Sequence, residues 1–180
     1  MKKLTRELHT PYFVPDYVAD SLHDIHFQEL QKAGVRFVAF DADSTLLEYR
    51  GKKVSDETIA FLNAQRKFFE RVCIASNRII HDLEPIAESI GADLIQATGL
   101  NRKPQKRFYQ QVIEHFGASP DEIVMIGDKL VADMYGAKRM GLTTVWVQRM
   151  GERDSIWDRW LKVRTWEKRM MEKYLRATDV

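Results

Sequence analysis

At 180 residues, with 44% hydrophobic and 30% charged positions, the chain has the balance of a soluble globular protein with room for a sizeable core. Its apolar runs end after four to six residues, too short to cross a bilayer, and the opening MKKLTRELHTPYF lacks the apolar stretch of a secretory signal. Net charge is +2 but uneven: residues 149–180 hold nine Lys and Arg against six Asp and Glu, so the positive excess sits in the tail. A cytoplasmic setting is the expectation, with peripheral contact at the inner face of a membrane as a variant of it.

In chain order, the first predicted strand is VRFVAFDAD at 35–43, apolar from Phe37 to Phe40 and ending in Asp41 and Asp43, with Ser44 and Thr45 directly after. A helix is predicted over 55–69, with Ser55 as its N-cap and Ile59, Leu62 and Phe69 near one face. RVCIAS at 71–76 is the second strand; it ends at Ser76-Asn77 and carries Cys73, which alone excludes an internal disulfide and reads as a buried thiol. Helix 81–91 closes at Gly91, and the third strand, ADLIQA at 92–97, leads to a loop with Arg102, Lys103 and Pro104. Helix 103–117 places Phe108, Val112 and Phe116 at i, i+4 spacing. The fourth strand, EIVMIGD at 122–128, ends in Gly127-Asp128, with Asp133 five residues on; a short helix over 132–141 and a fifth strand at 143–148 follow.

Strands that are apolar throughout are covered on both faces, and alternation with helices points to an α/β fold with a mainly parallel five-stranded sheet. In such sheets ligands bind beyond the carboxyl ends of the strands. That rule gathers Asp41, Asp43, Ser76, Lys103, Asp128 and Asp133 on one rim. Clustered carboxylates repel unless a cation neutralises them, and an all-oxygen set suits Mg²⁺ with a phosphate. Lys103 and Ser76 offer a point charge and a hydrogen-bond donor to phosphate oxygens. A carboxylate there can attack phosphorus, and a second one two residues away can move protons. Each piece also has a plainer reading: Asp-x-Asp as a turn, Ser76-Asn77 as a helix cap, Lys103 as a solvated helix start. All of them falling at strand ends, in this order, favours the chemical reading.

The motifs DADST, IASN, Lys103 and GDKLVAD resemble the four signatures of the haloacid dehalogenase (HAD) superfamily. The chain is similar to YqeG-type HAD phosphatases, which are themselves similar to mitochondrial and plastid phosphatidylglycerophosphatases. The YFVPDYV lead-in, NRKP and the basic tail share in that resemblance. It implies a Rossmann-like core over 1–180 as one domain and Mg²⁺-dependent hydrolysis of a phosphomonoester. By position, Asp41 becomes the nucleophile and Asp43 the acid/base. Asp41, Asp128 and the Asp43 backbone carbonyl become metal ligands, and Asp133 supports them. Ser76, Asn77, Lys103 and Thr45 become phosphate-side residues, with Thr45 also supporting its loop. Two positions depart from the pattern: Ala132 stands where Thr is common, and Lys129 sets a cation beside Asp128.

From Asp41 to Ser76, and from Ser76 to Lys103, helix and strand fill the intervals, leaving no room for a cap domain. An open site suits a phosphate on a large or surface-bound molecule, so phosphatidylglycerophosphate is the first expectation; a phosphoprotein, nucleotide or sugar phosphate is the alternative. The tail, 150–180, carries Trp157, Trp160 and Trp166 among basic residues. It reads first as a helix packed on the core, and second as an amphipathic helix at an anionic membrane surface through 150–176. No nucleic-acid motif is present, and His9, His23, His26, His81 and His115 form no ligand spacing. A phospho-acceptor receiver domain would place its acceptor Asp on a middle strand, whereas here the acidic pair itself carries Asp-x-Thr. An idle scaffold fits poorly with so complete a set of reactive residues.

Overall fold

The strands are β1 (Lys2–Lys3), β2 (Tyr17–Ala19), β3 (Phe37–Phe40), β4 (Arg71–Ser76), β5 (Asp93–Gln96), β6 (Ile123–Gly127) and β7 (Thr143–Val147). They form one sheet in the order β1-β2-β7-β6-β3-β4-β5. All neighbours are parallel except β1, which pairs antiparallel with β2. This computed structural model describes residues 1–3, 12–79, 82–151, 165–167, 169, 170 and 172.

The five expected strands are all present, inside the expected ranges, and the parallel part of the sheet has a sixth. The addition is β2, three residues beyond Pro15 and Asp16, too short to leave a periodic signature. It is held at the edge by Asp16, whose Oδ2 accepts from the Thr144 N–H (3.0 Å) and hydroxyl (2.8 Å). Asp16 Oδ1 accepts from the buried Lys138 ammonium at 3.0 Å. One aspartate thus stitches the lead-in to β7 and neutralises a lysine that burial would otherwise penalise.

The helices described over the sheet are α1 (Phe27–Lys32), α2 (Asp56–Gln65), α3 (Glu84–Ser89), α4 (Lys106–Phe116) and α5 (Gly136–Lys138). Ser55 caps α2 as expected, accepting the Thr58 N–H at 3.1 Å. Alternate strand residues feed two cores. Val38, Phe40, Ile74 and Ile126 pack with Phe27, Leu62 and Ile86, while Ala39, Cys73 and Met125 pack with Phe108, Val112 and Phe116. This two-sided burial is why the strands read as continuous apolar runs. Cys73 is fully buried, and burial pushes its thiol pKa up, as an inert core cysteine requires.

Two helix expectations need correction. The helix expected from 103 starts at Lys106, because 102–105 form a turn that delivers Lys103 to the rim. The helix expected over 132–141 is a π-helical segment, Leu130–Tyr135, running into α5. Its wide turn accommodates Asp133, discussed below.

Among the described residues no helix is long and apolar enough to cross a membrane. In the tail, residues 165–167, 169, 170 and 172 are helical. Glu167 is buried, and Met170 packs against Val14, Val18, Leu130 and Met134. The Trp166 ring meets Phe13 edge-on at 5.6 Å, although Trp166 stays 41% exposed. For these residues the tail packs on the core. Trp157, Trp160, His9 and His81 lie outside the described residues.

Candidate active site

The sheet order places β3 between β6 and β4, with β4 and β5 on one side and β6 and β7 on the other. The crevice between β3 and β6 is therefore the topological switch point, where ligands bind in open α/β sheets. Phe40 pairs with Ile74 on one side and Ile126 on the other, so the residues after these strands emerge together. The Asp41 N–H donates to the Ile126 carbonyl at 2.8 Å, which carries the ladder one residue further and fixes Asp41 at the crevice.

Lys103 joins the cluster. Its ammonium donates to Asp41 Oδ1 at 2.7 Å and to Asp133 Oδ1 at 2.6 Å. Carboxylate oxygens of Asp41, Asp128 and Asp133 all lie within 4.8 Å of one another, and all three residues are buried. Burial alone would lower the Lys103 pKa, but the Asp133 and Asp41 charges outweigh it and hold it raised. Burial raises Asp133 to about 7; Lys103 opposes the rise, and Asp41 and Asp128 add to it. One ammonium shared among three buried carboxylates leaves a net negative pocket.

Asp133 is positioned from several directions. Its Oδ2 accepts the Lys129 N–H at 3.0 Å. It also lies directly against Gly127: a Cβ there would sit 2.7 Å from Asp133 Cβ and closer still to the carboxyl group. The buried Tyr109 hydroxyl donates to the Ala132 carbonyl at 2.7 Å and lies 3.2 Å from that of Asp133, bolting the π-helical segment to α4. Trp146 donates from Nε1 to the Asp128 carbonyl at 2.9 Å.

Asp43 stands slightly apart, on the loop after β3. Its Oδ1 accepts the Arg50 N–H at 2.6 Å and Arg78 Nη1 at 3.3 Å. Burial raises its pKa and the Asp41 charge adds to this, against the Arg50 N–H, Arg78 and Lys129. The half-buried Lys129 therefore acts electrostatically on this acid. The loop is tightly built: Ser44 adopts a left-handed φ of 68°, and its carbonyl accepts the Met150 N–H at 2.7 Å. Thr45 Oγ1 is buried with no hydrogen-bond partner in the described structure.

Arg78 was not among the sequence candidates. Nη1 also donates to the Gly51 carbonyl at 3.1 Å, and Nη2 pairs with Asp82. With only 7% of its side chain exposed, it ties the loop after β4 to the loop after β3. The sole signal was an arginine directly following Ser76-Asn77. Asn77 is engaged by a backbone: its Oδ1 accepts the Lys103 N–H at 2.7 Å and its amide donates to the Lys103 carbonyl at 2.9 Å. It fixes the lysine's position. Ser76 is buried, and its Oγ accepts the Arg78 N–H at 3.1 Å. The structure thus gathers Asp41, Lys103, Asp128 and Asp133 in one cluster, with Asp43 and Ser76 tied to each other's loops through Arg78.

Comparison with known proteins agrees with this arrangement. Residues 100–156 match a family described as HAD-hydrolase-like. Over 145 residues the chain is 24% identical to the probable phosphatase YqeG of Bacillus subtilis, spanning 81% of this chain and 83% of that one. Over these stretches the chain is similar to the HAD superfamily. It is a HAD-type phosphatase, similar to the YqeG kind, and its substrate is a phosphomonoester.

Other relatives of this HAD-type phosphatase match over a shorter stretch. A glyceraldehyde 3-phosphate phosphatase of Pyrococcus furiosus is 40% identical over 45 residues, 25% of this chain and 19% of that one. Solved structures with the same fold include an uncharacterised protein from Listeria monocytogenes (TM-score 0.54, 18% identity, 67% of this chain and 85% of that one). A haloacid dehalogenase-like hydrolase from Streptococcus pneumoniae also shares it (TM-score 0.52, 12% identity, 67% and 88%). Among the described residues the phosphatase has no cap domain: the 41–55 loop, α2 and α3 occupy the intervals between β3, β4 and β5.

Proposed function

We propose that this phosphatase hydrolyses its ester through an aspartyl-phosphate on Asp41, with Asp43 as acid/base and with Mg²⁺ as cofactor. The observation that carries the reading is the Lys103 ammonium bridging Asp41 and Asp133 beside Asp128. The donor set fits a hard divalent cation: it is all oxygen, buried and net negative. Asp41, Asp128 and the Asp43 carbonyl would hold the ion, while Asp133, whose two oxygens already accept from Lys103 and Lys129, positions the others. When bound, Mg²⁺ supplies charge neutralisation for the phosphoryl oxygens.

A carboxylate oxygen of Asp41 forms a bond to phosphorus as the ester P–O bond breaks. Asp43 gives its proton to the leaving alkoxide, and its raised pKa suits it to hold that proton. Water then attacks phosphorus and passes a proton to Asp43. The bond to Asp41 breaks and inorganic phosphate leaves. Lys103 and the Ser76 hydroxyl face the phosphoryl oxygens. Thr45 Oγ1 completes this set; an orphaned buried hydroxyl costs about 1–3 kcal/mol, which a ligand oxygen relieves.

The substrate we propose is lipid-borne, with phosphatidylglycerophosphate the first to test. Support comes from the uncapped mouth. Leu100 is 86% and Ile79 56% exposed on the loops after β5 and β4, and Arg50, Lys52, Lys53 and Arg102 are exposed on the loops after β3 and β5. Apolar side chains among cations suit an anionic lipid surface.

Phosphate release is to be measured from phosphatidylglycerophosphate in liposomes and from soluble esters, glyceraldehyde 3-phosphate and phosphoserine among them, with Mg²⁺ or chelator. Lipid hydrolysis that needs Mg²⁺ and vanishes in Asp41→Asn is the expected result. Turnover that survives Asp41→Asn removes the covalent route. Turnover of soluble esters alone removes the lipid assignment, and turnover in chelator removes the cofactor.

A further inference from the structure

Glu167 stands out as a buried carboxylate that the reaction above does not use. Only 5% of it is exposed, in a tail rich in solvated charge. Its Oε1 accepts the Leu130 N–H at 2.8 Å, across 37 residues of sequence. Leu130 opens the π-helical segment, two residues after Asp128. The first N–H groups of a helical segment have no partner within it, so their acceptors come from elsewhere.

Consecutive backbone groups at this turn are each held from a different place. The Asp128 carbonyl takes the Trp146 indole, the Lys129 N–H goes to Asp133, and the Leu130 N–H goes to Glu167. The first two anchors belong to the sheet and to the site itself. The third comes from the C-terminal segment, which docks beside it through Met170 on the cluster that holds Leu130 and Met134. A slack Leu130 amide would loosen the turn that sets the spacing of Asp128 from Asp133. A carboxylate buried this deeply is retained against a desolvation penalty, so its place on this particular amide is informative.

We propose that Glu167 is a positioning residue for the Asp128 side of the metal pocket, making the C-terminal segment part of the active site. The proposal rests on the Mg²⁺-phosphatase reading above. The role calls for an acceptor oxygen on Oε1, so glutamine replaces it and alanine does not.

The test uses the full chain. Mg²⁺ affinity is read by calorimetric titration of wild type, Glu167→Ala, Glu167→Gln and Phe116→Leu. The last is a core change at the far end of α4 that lowers stability away from the site. Hydrolysis of phosphatidylglycerophosphate in liposomes and of soluble esters is followed in parallel. Glu167→Ala is expected to weaken Mg²⁺ by about tenfold and to lower kcat with KM little changed, as losses behind metal ligands do. Glu167→Gln should stay near wild type, and Phe116→Leu should lose melting temperature without losing Mg²⁺ affinity. Wild-type affinity in Glu167→Ala overturns the proposal, as does an equal loss in Phe116→Leu or a Glu167→Gln as weak as Glu167→Ala. If wild type hydrolyses no ester, the phosphatase chemistry falls and the Mg²⁺ titrations alone decide Glu167. If wild type binds no Mg²⁺, both fall.

Discussion

The ammonium of Lys103 lies 2.7 Å from Asp41 Oδ1, with both side chains almost wholly buried. The lysine also serves Asp133, so it is the internal counter-charge of the pocket. Lys103→Met should lower kcat at least about 100-fold. Stripping one partner from a buried ionic group costs about 3–5 kcal/mol, to be read by urea unfolding in chelator. Added Mg²⁺ should restore part of that stability. The pH dependence follows from the sign: the Lys103 pKa is raised above its unfolded value of about 10.4. Its contribution is full below that pH and is lost as pH rises through the folded value.

Arg78 holds Asp43 and the Gly51 carbonyl with the same Nη1, and Asp82 with Nη2. A lysine cannot reproduce this fork. Arg78→Lys should reduce kcat about 10–100-fold with KM little changed. Steady-state kinetics on a soluble ester separate the two parameters; a pure KM effect would place Arg78 in substrate binding instead.

Gly127 has room for no side chain, because Asp133 fills the space where a Cβ would go. Its backbone conformation is an ordinary strand, so Gly127→Ala tests crowding alone. The substitution should destabilise by about 1–3 kcal/mol and push Asp133 away from Lys103. Thermal melting and turnover should therefore fall together. An unchanged melting temperature would contradict the close approach.

Far from the site, Asp93 is held below the usual carboxylate range by hydrogen bonds from Arg71 and then His115. The pair is about half exposed, so screening keeps its contribution under about 1 kcal/mol. Because the folded pKa is depressed, that stability exists above the unfolded value of about 3.9 and is lost as pH falls through the folded one. The stability gap between wild type and Asp93→Asn, followed from pH 7 to pH 3 in urea, should shrink as acid is added.

Much of the site could be read from the chain itself. Parallel strands buried on both faces must be apolar throughout, so a charged residue ending one stands out, as Asp41 and Asp128 do. Residues that act by fixing others left weaker marks. Asn77 looks like a cap, yet its amide clamps the Lys103 backbone. Arg78 looks like a loop cation, and Glu167 like one of several diluting acids in a basic tail. Asn77 is 26 positions from Lys103, Arg78 is 35 from Asp43 and Glu167 is 37 from Leu130, all beyond any local periodicity. The π-helical segment escaped notice because its packing around Asp133 and Tyr109, not its propensity, sets its width.

The bond from the Met150 N–H to the Ser44 carbonyl bears on how the enzyme is made. Ser44, in its left-handed conformation, immediately follows the DAD turn, while Met150 lies beyond the last strand. Chains fold from the N-terminus as they leave the ribosome. Asp41 is thus synthesised long before Lys103, Asp128 or Met150 exists to complete its surroundings. A chain stalled or truncated before β7 carries the reactive aspartate without the pocket that makes it reactive, and incomplete products should have no esterase activity to leak into the cell.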